Sequence, residues 1–242
     1  MIMERYVLIG LDGSGKSSNI DKLKQDPLFR NYSFVWVRWE PKLLRPLYRI
    51  IHKKTNRENA DTRESQNHTP QDERAKAGAA YSQKQSLKKR IFSNRFFGKV
   101  WMLLALTDYW LQFHRKVSRV KKKGCPIVFD RYYFDLFVDQ GLNIGYSPEQ
   151  ILRTIRRHAF LFPKIDKVIY IRVAPEICFA RKQDIPNMDY LTSRYAVYEL
   201  LSREAGWVTV DGEKPLEAVY ASVKDHILIT KSCAVENESV CA

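Results

Sequence analysis

The chain alternates between short apolar runs and longer amphipathic stretches. "RYVLIG" (5–10), "YSFVWVRW" (32–39), "CPIVFDR" (125–131), "DKVIYIRV" (166–173) and "GWVTVDG" (206–212) are brief and rich in β-branched and aromatic residues, and they read as five strands. Apolar positions at helical spacing predict helices over 15–24, 42–53, 98–124, 147–162, 174–182, 188–204 and 214–229. Ser147 and Pro148 supply an N-cap and a first helical residue. The lysine-rich end of the 98–124 helix suits a C-terminus, and Gly124 is a natural stop. Strands that alternate with helices predict βαβ units, hence an α/β fold whose five-stranded, mainly parallel sheet carries helices on both faces. No repeat period interrupts this order.

Two segments break the pattern. From Lys54 to Arg95 the chain is polar and strongly charged with few core-forming residues, which predicts an exposed, mobile, basic insertion. Residues 231–242 are polar and are expected to form a flexible tail behind a single domain of residues 1–230.

Composition narrows the class. With 242 residues the chain can bury one full core, and 45% hydrophobic with 28% charged residues is ordinary for a soluble protein. A formal net charge of +14 favours anionic partners without choosing among nucleotides, nucleic acid and acidic membrane surfaces. Cys125, Cys178, Cys233 and Cys241 show no metal-ligand spacing and read as reduced thiols. No N-terminal signal is visible, and the longest later apolar run, "VWMLLAL", stops at Thr107 and Asp108. A cytoplasmic protein without a membrane span is expected.

The first chemical motif is "GLDGSGKSS", which follows the first strand. Gly10-x4-Gly15-Lys16-Ser17 fits the phosphate-loop pattern, with a strand before it and a helix after it. Glycines let backbone N–H groups close around phosphate oxygens, and the helix start adds its positive end. Gly10, Asp12, Gly13, Ser14, Gly15, Lys16, Ser17 and Ser18 are therefore the candidate nucleotide-binding residues. Lys16 is placed to reach the β- and γ-phosphates of ATP, and the Ser17 hydroxyl to ligate Mg2+. The pattern alone does not separate kinase from GTPase or motor. The absence of an N-K-x-D stretch and of a transporter-type signature helix lowers the GTPase and ABC-transporter readings.

The second motif is "VFDRYYFD". Ligands of open α/β sheets sit outside the carboxyl ends of the strands, so Asp130 and Arg131 face the same crevice as the phosphate loop. Asp130 can hold the Mg2+ shell through water or orient an acceptor oxygen. Arg131 can grip a second phosphate with its planar fork. A third group, Arg38-Trp39-Glu40-Pro41, ends the second strand. It reads either as an acceptor-site wall or as a plain strand end closed by proline. Arg45 and Arg49 follow on the next predicted helix.

In this order the motifs resemble the thymidylate kinase family of P-loop nucleoside monophosphate kinases. "GLDGSGKSS" resembles its G-x-D-G-x-G-K-S/T loop, "VRWEP" its T-R-E-P, and "FDRYYFDLFVDQG" its D-R-Y-x-x-S-x-x-A-Y-Q-G. "VAPEICFARK" resembles the stretch that opens its mobile lid, here 181–190, and "AVYELL" the helix after it. The resemblance implies a P-loop NTPase fold with a short lid, and a homodimer formed through helices such as 100–113. It implies that Asp12 faces the acceptor sugar, that Arg131 grips the acceptor phosphate and that Gln140 lies near the base. Gly13 stands where an arginine would otherwise follow Asp12, which implies a catalytic arginine from the lid: Arg181, with Lys182 and Arg194 as further candidates. Three positions depart from the family. Asp135 replaces serine, Asp139 replaces tyrosine, and Tyr109 stands at or near a base-holding arginine. A carboxylate near a sugar selects hydroxyls, so the acceptor pocket is expected to differ.

The reading that follows is ATP·Mg2+-dependent phosphoryl transfer to a nucleoside monophosphate, dTMP first. Lys16, Asp130, Arg131 and Arg181 are its catalytic group. Asp12, Arg38, Glu40, Arg131, Asp135 and Gln140 are its substrate-binding group, and Ser17 and Asp130 hold the metal. One alternative is a related enzyme with another small phosphorylated acceptor. Another is a P-loop ATPase or binding module at nucleic acid or an anionic surface, motivated by the +14 charge and "RVKKKG". No helicase or RNA-binding motif accompanies that charge.

Overall fold

A computed structural model describes residues 4–45, 95–121 and 124–239. The polar stretch 54–94 and most of the helix expected at 42–53 lie outside these residues. The chain runs β1 (Arg5–Ile9), α1 (Lys16–Gln25), β2 (Ser33–Trp36), α2 (Arg95–Lys121), β3 (Ile127–Asp130) and α3 (Tyr133–Asn143). It continues with α4 (Pro148–His158), β4 (Lys167–Arg172), α5 (Pro175–Arg181), α6 (Met188–Glu204), β5 (Val208–Asp211) and α7 (Leu216–Ser239).

The five strands pair in parallel in the order β2-β3-β1-β4-β5. β1 lies at the centre, and its Tyr6, Val7, Leu8 and Ile9 are wholly buried. A strand covered on both faces needs this unbroken apolar run, which also lets it be read from the sequence. From β1 the chain crosses outward to β2, then turns back through β3, β4 and β5. Right-handed crossovers place α1 on one face and the later connecting helices on the other. In agreement, α1 packs on α7, while α2, α3, α4, α5 and α6 pack among themselves. The reversal occurs between β1 and β3. Their register pairs Leu8 with Asp130, so the loops that leave both strands open side by side.

Several ends differ from expectation. The single helix expected over 147–162 stops at His158 and finishes as a short 3-10 turn over Ala159–Leu161. Helix α3, inside the "DRYYFD" motif, was not foreseen as a helix. Its Tyr132 cap position carries none of the usual capping residues, and Asp135 accepts from the Tyr132 N–H instead, at 3.3 Å. The backbone of α7 stays helical to Ser239, past the residue 230 boundary expected for the tail. Cys178 is a free thiol, and burial pushes it up to about 11. Among the described residues no helix is long and apolar enough to cross a membrane.

Candidate functional site

The loop between β1 and α1 is built around three glycines with φ of 155°, 92° and 86° at Gly10, Gly13 and Gly15. A side chain at Gly13 would also collide, because its Cβ would stand 2.6 Å from the Cys178 carbonyl of α5. The loop therefore needs glycine both for its turn and for the close approach of α5. Lys16, 5% exposed, folds back over it and donates to the carbonyls of Gly10 (2.8 Å) and Leu11 (2.5 Å). Burial, then the nearby Arg131, lowers its pKa to about 8. A buried ammonium in a ring of backbone dipoles, at the first turn of a helix, fits a polyphosphate.

A cleft of about 530 Å3 opens on this loop. Its walls include Asp12, Gly13, Gly15, Lys16, Ser17 and Ser18 from the loop and α1, Trp36 and Arg38 from the end of β2, Asp130 and Arg131 from the end of β3, and Arg181 and Lys182 from the end of α5. Most of the residues singled out from three distant motifs thus meet in one place. Ser14 is buried behind the loop. Asp130 is raised by burial, which Arg131 and Lys16 partly counter. The Ser17 hydroxyl and the Asp130 carboxylate suit Mg2+, which keeps most of its waters and takes few protein oxygens. Among the described residues no cluster of three or more His, Cys, Asp or Glu could hold a metal.

Arg131 is the centre of a charged cluster on one wall of the cleft. It is the one described non-glycine residue with positive φ, at 69°. That conformation turns its guanidinium between two carboxylates: Asp12 at 2.5 Å and Asp135 at 2.9 Å. Burial alone would raise Asp12. The charges of Arg131 and Lys16, with hydrogen bonds from Arg131 and Tyr190, hold it well below the usual carboxylate range. Each carboxylate has a second anchor on α6. Tyr190 donates to Asp12 at 3.0 Å and Tyr198 to Asp135 at 2.7 Å. Arg194, between them on the same face, donates to Asp139 at 2.7 and 2.9 Å and lies 3.5 Å over the Tyr190 ring. Arg194 therefore braces α3 against α6 and does not border the cleft.

The remaining expected residues fall elsewhere. Arg181, at the end of α5, borders the cleft and donates to the Gly212 carbonyl at 3.0 Å. The segment expected as a lid, 181–190, runs from the end of α5 into the start of α6. Glu40 is exposed, outside the cleft wall, and its backbone carbonyl accepts from Gln112 at 2.6 Å. Asp135 is buried behind Arg131, and Gln140 is buried with its carbonyl accepting from Trp101 at 2.9 Å. Tyr109 is packed against Phe113 and Phe162 in the aromatic core, away from the cleft.

Three positions escaped the sequence reading. Tyr190 and Tyr198 repeat with Arg194 at intervals of four, a one-face pattern that could have marked them. Asp108 was passed over as the stop of an apolar run. It accepts from Trp39 Nε1 at 3.3 Å and from the backbone N–H groups of Lys42 (2.9 Å) and Leu43 (3.2 Å). It thereby ties the "RWEP" segment to α2 and fixes where Arg38 enters the cleft.

No protein-family model matches the chain, and no curated protein sequence matches it. Among solved structures it is similar to a deoxyadenosine kinase from M. mycoides determined with bound dATP. The two share 15% identity at a TM-score of 0.53, over 93% of this chain and 99% of that one. At that identity the likeness is one of fold: an α/β P-loop NTPase fold.

Proposed function

We propose that the chain is an ATP-dependent kinase of a nucleoside-type acceptor, with dTMP as the first acceptor to try. The observation that carries this reading is the single cleft where Lys16 and Ser17 face Asp130, Arg131 and Arg181. When bound, ATP·Mg2+ supplies the phosphoryl group, and Mg2+ would be held by Ser17 and Asp130. The loop N–H groups and Lys16 bind and orient the phosphates. Arg181 adds positive charge at the lid side of the cleft, where charge builds up during transfer. Asp130, its proton affinity raised by burial, can orient the acceptor oxygen, which in dTMP is a phosphate oxygen. No covalent enzyme intermediate is needed. A single domain of residues 1–230 with a lid at 181–190, working in the cytoplasm, completes the reading.

A second reading concerns the acceptor. Asp135 places a further carboxylate on Arg131, beside Asp12, where an acceptor phosphate would have to sit. Two negative charges on one guanidinium favour an uncharged, hydroxyl-bearing acceptor, and the similar solved structure is itself described as a deoxyadenosine kinase. The test is ADP formation across dTMP, dUMP, UMP, CMP, AMP, thymidine and deoxyadenosine, with a no-acceptor control. Stimulation by dTMP alone supports the first reading, and stimulation by unphosphorylated nucleosides the second. Turnover without any acceptor would instead point to an ATPase.

A further inference from the structure

Outside the cleft, one concave site collects cations, with no acid among its described lining residues. It has a volume of about 270 Å3 and lies where the first turns of α2 meet α4 and the loop before it. Lys99 comes from α2, Tyr146 from the loop, and Gln150, Arg153, Thr154 and Arg157 from α4. Among the described residues no carboxylate stands within ion-pair distance of Lys99, Arg153 or Arg157. Glu149 acts on Arg153 only through space, and its carboxylate takes the Ser147 hydroxyl. The neighbouring Arg156, which points away, does have an acid, Glu204 at 3.2 Å. Like charges four apart on a helix repel. Arg153 and Arg157 accept that repulsion and add Lys99 to it.

We infer that this pocket is a second anion site, separate from the phosphate loop, that takes the phosphate or diphosphate group of a small molecule. Two guanidinium forks and one ammonium match the geometry and charge of a phosphate dianion. Gln150 adds a donor: its side-chain carbonyl accepts from the Ser147 N–H at 2.9 Å, which leaves the amide nitrogen to face the pocket. The Thr154 hydroxyl donates to the Gln150 backbone carbonyl at 2.7 Å, so its oxygen remains an acceptor for a protonated phosphate. The volume lies below the roughly 300–1,000 Å3 of drug-sized sites, so the pocket encloses the anionic group and not a whole nucleotide. An occupant ties α2 to α4 at a corner that also contains α3, because Trp101, two residues after Lys99, holds Gln140. Binding there stiffens the helical layer that holds Asp135 against Arg131. This proposal does not depend on the kinase reading.

The experiment is calorimetric titration with pyrophosphate, at constant ionic strength, of the unaltered protein, Lys16→Ala, Arg153→Gln/Arg157→Gln and Lys99→Gln. All three outer residues are exposed, so their variants should fold. Lys16→Ala should keep a saturable binding event. The double arginine variant in that background should lose it, and Lys99→Gln should weaken it by about tenfold. Repeating the titration with inorganic phosphate and AMP separates the sources. Equal affinity assigns the site to free phosphate, and tighter AMP binding assigns it to a phosphorylated metabolite. The proposal is overturned if no event survives in Lys16→Ala at millimolar pyrophosphate. It is equally overturned if the surviving event is indifferent to Arg153, Arg157 and Lys99.

Discussion

Lys16 and Arg131 both have altered proton affinity, for opposite reasons, and the difference is measurable. Lys16 is lowered to about 8 from 10.5, chiefly by burial. Between those values the unfolded chain holds the proton that the folded chain has released, so this group's contribution to stability grows as pH rises through the window. Polyphosphate binding needs the charged form. ATP affinity should therefore fall as pH rises above about 8, and binding at pH 9 should take up a proton. Calorimetry in two buffers of different ionisation enthalpy would detect it, and buffer-independent heats at pH 9 would refute it. Arg131 is the reverse case, a cation held by its neighbours. Arg131→Ala leaves Asp12 and Asp135 buried without their ion-pair partner, with the hydrogen bonds from Tyr190 and Tyr198 remaining, and should cost about 3 kcal/mol at pH 7 in a denaturant titration. Asp12 contributes stability above its unfolded pKa near 3.8, and loses it as pH falls toward its depressed folded value. The penalty should therefore shrink in acid, where Asp12 protonates. Arg131→Gly should be milder than alanine by about 1 kcal/mol, because glycine accepts the positive φ.

Among the elements, α6 does most to join the two halves of the site. Asn187 caps it, accepting from the Tyr190 N–H at 2.9 Å, and so sets the turn on which Tyr190 reaches back to Asp12. Tyr190→Phe keeps the ring under Arg194 but removes one bond to a carboxylate. It should cost about 1 kcal/mol of stability and lower kcat/KM for the acceptor more than for ATP. An equal loss for both substrates would mean that Tyr190 merely holds the lid. The elements also show what a sequence discloses. Ser147 and Pro148 announced α4 because its start is stated locally: the Ser147 side chain accepts from the Gln150 N–H, and Gln150 returns the bond. The phosphate loop and the Asp130–Arg131 pair were legible for the same reason, since turn glycines and strand-end charges are local signals. The partners of Asp12 and Asp135 were not. Tyr190 lies 178 residues from Asp12, and only the packing of α6 over α3 brings it there. Tyr109 misled in the opposite direction, because nothing nearby in the chain states that its ring belongs to the aromatic core.

For the whole molecule, the charge has to be weighed against the architecture. Residues 46–94 hold eleven Lys and Arg against five Asp and Glu, so +8 of the +14 belongs to the rest of the chain. The excess is therefore not confined to the polar insertion. Part of it lines the cleft, through Arg38, Arg181 and Lys182, and part the pocket between α2 and α4. Both are concave sites of small volume, separate from each other, and neither has the form of a continuous basic groove that could follow a polynucleotide backbone. A protein of this charge should still attract nucleic acid by counterion release alone. That attraction should fall steeply, by about 10³-fold or more between 50 and 200 mM salt for six or more phosphate contacts. ATP bound by the buried Lys16 and the loop N–H groups is screened far less. Parallel titrations of a short duplex and of ATP·Mg2+ across that salt range should therefore diverge, with the duplex released and the nucleotide retained. Retention of the duplex at 200 mM salt would favour the nucleic-acid module over the kinase. Release of both together would place the nucleotide on the surface charge and not in the cleft.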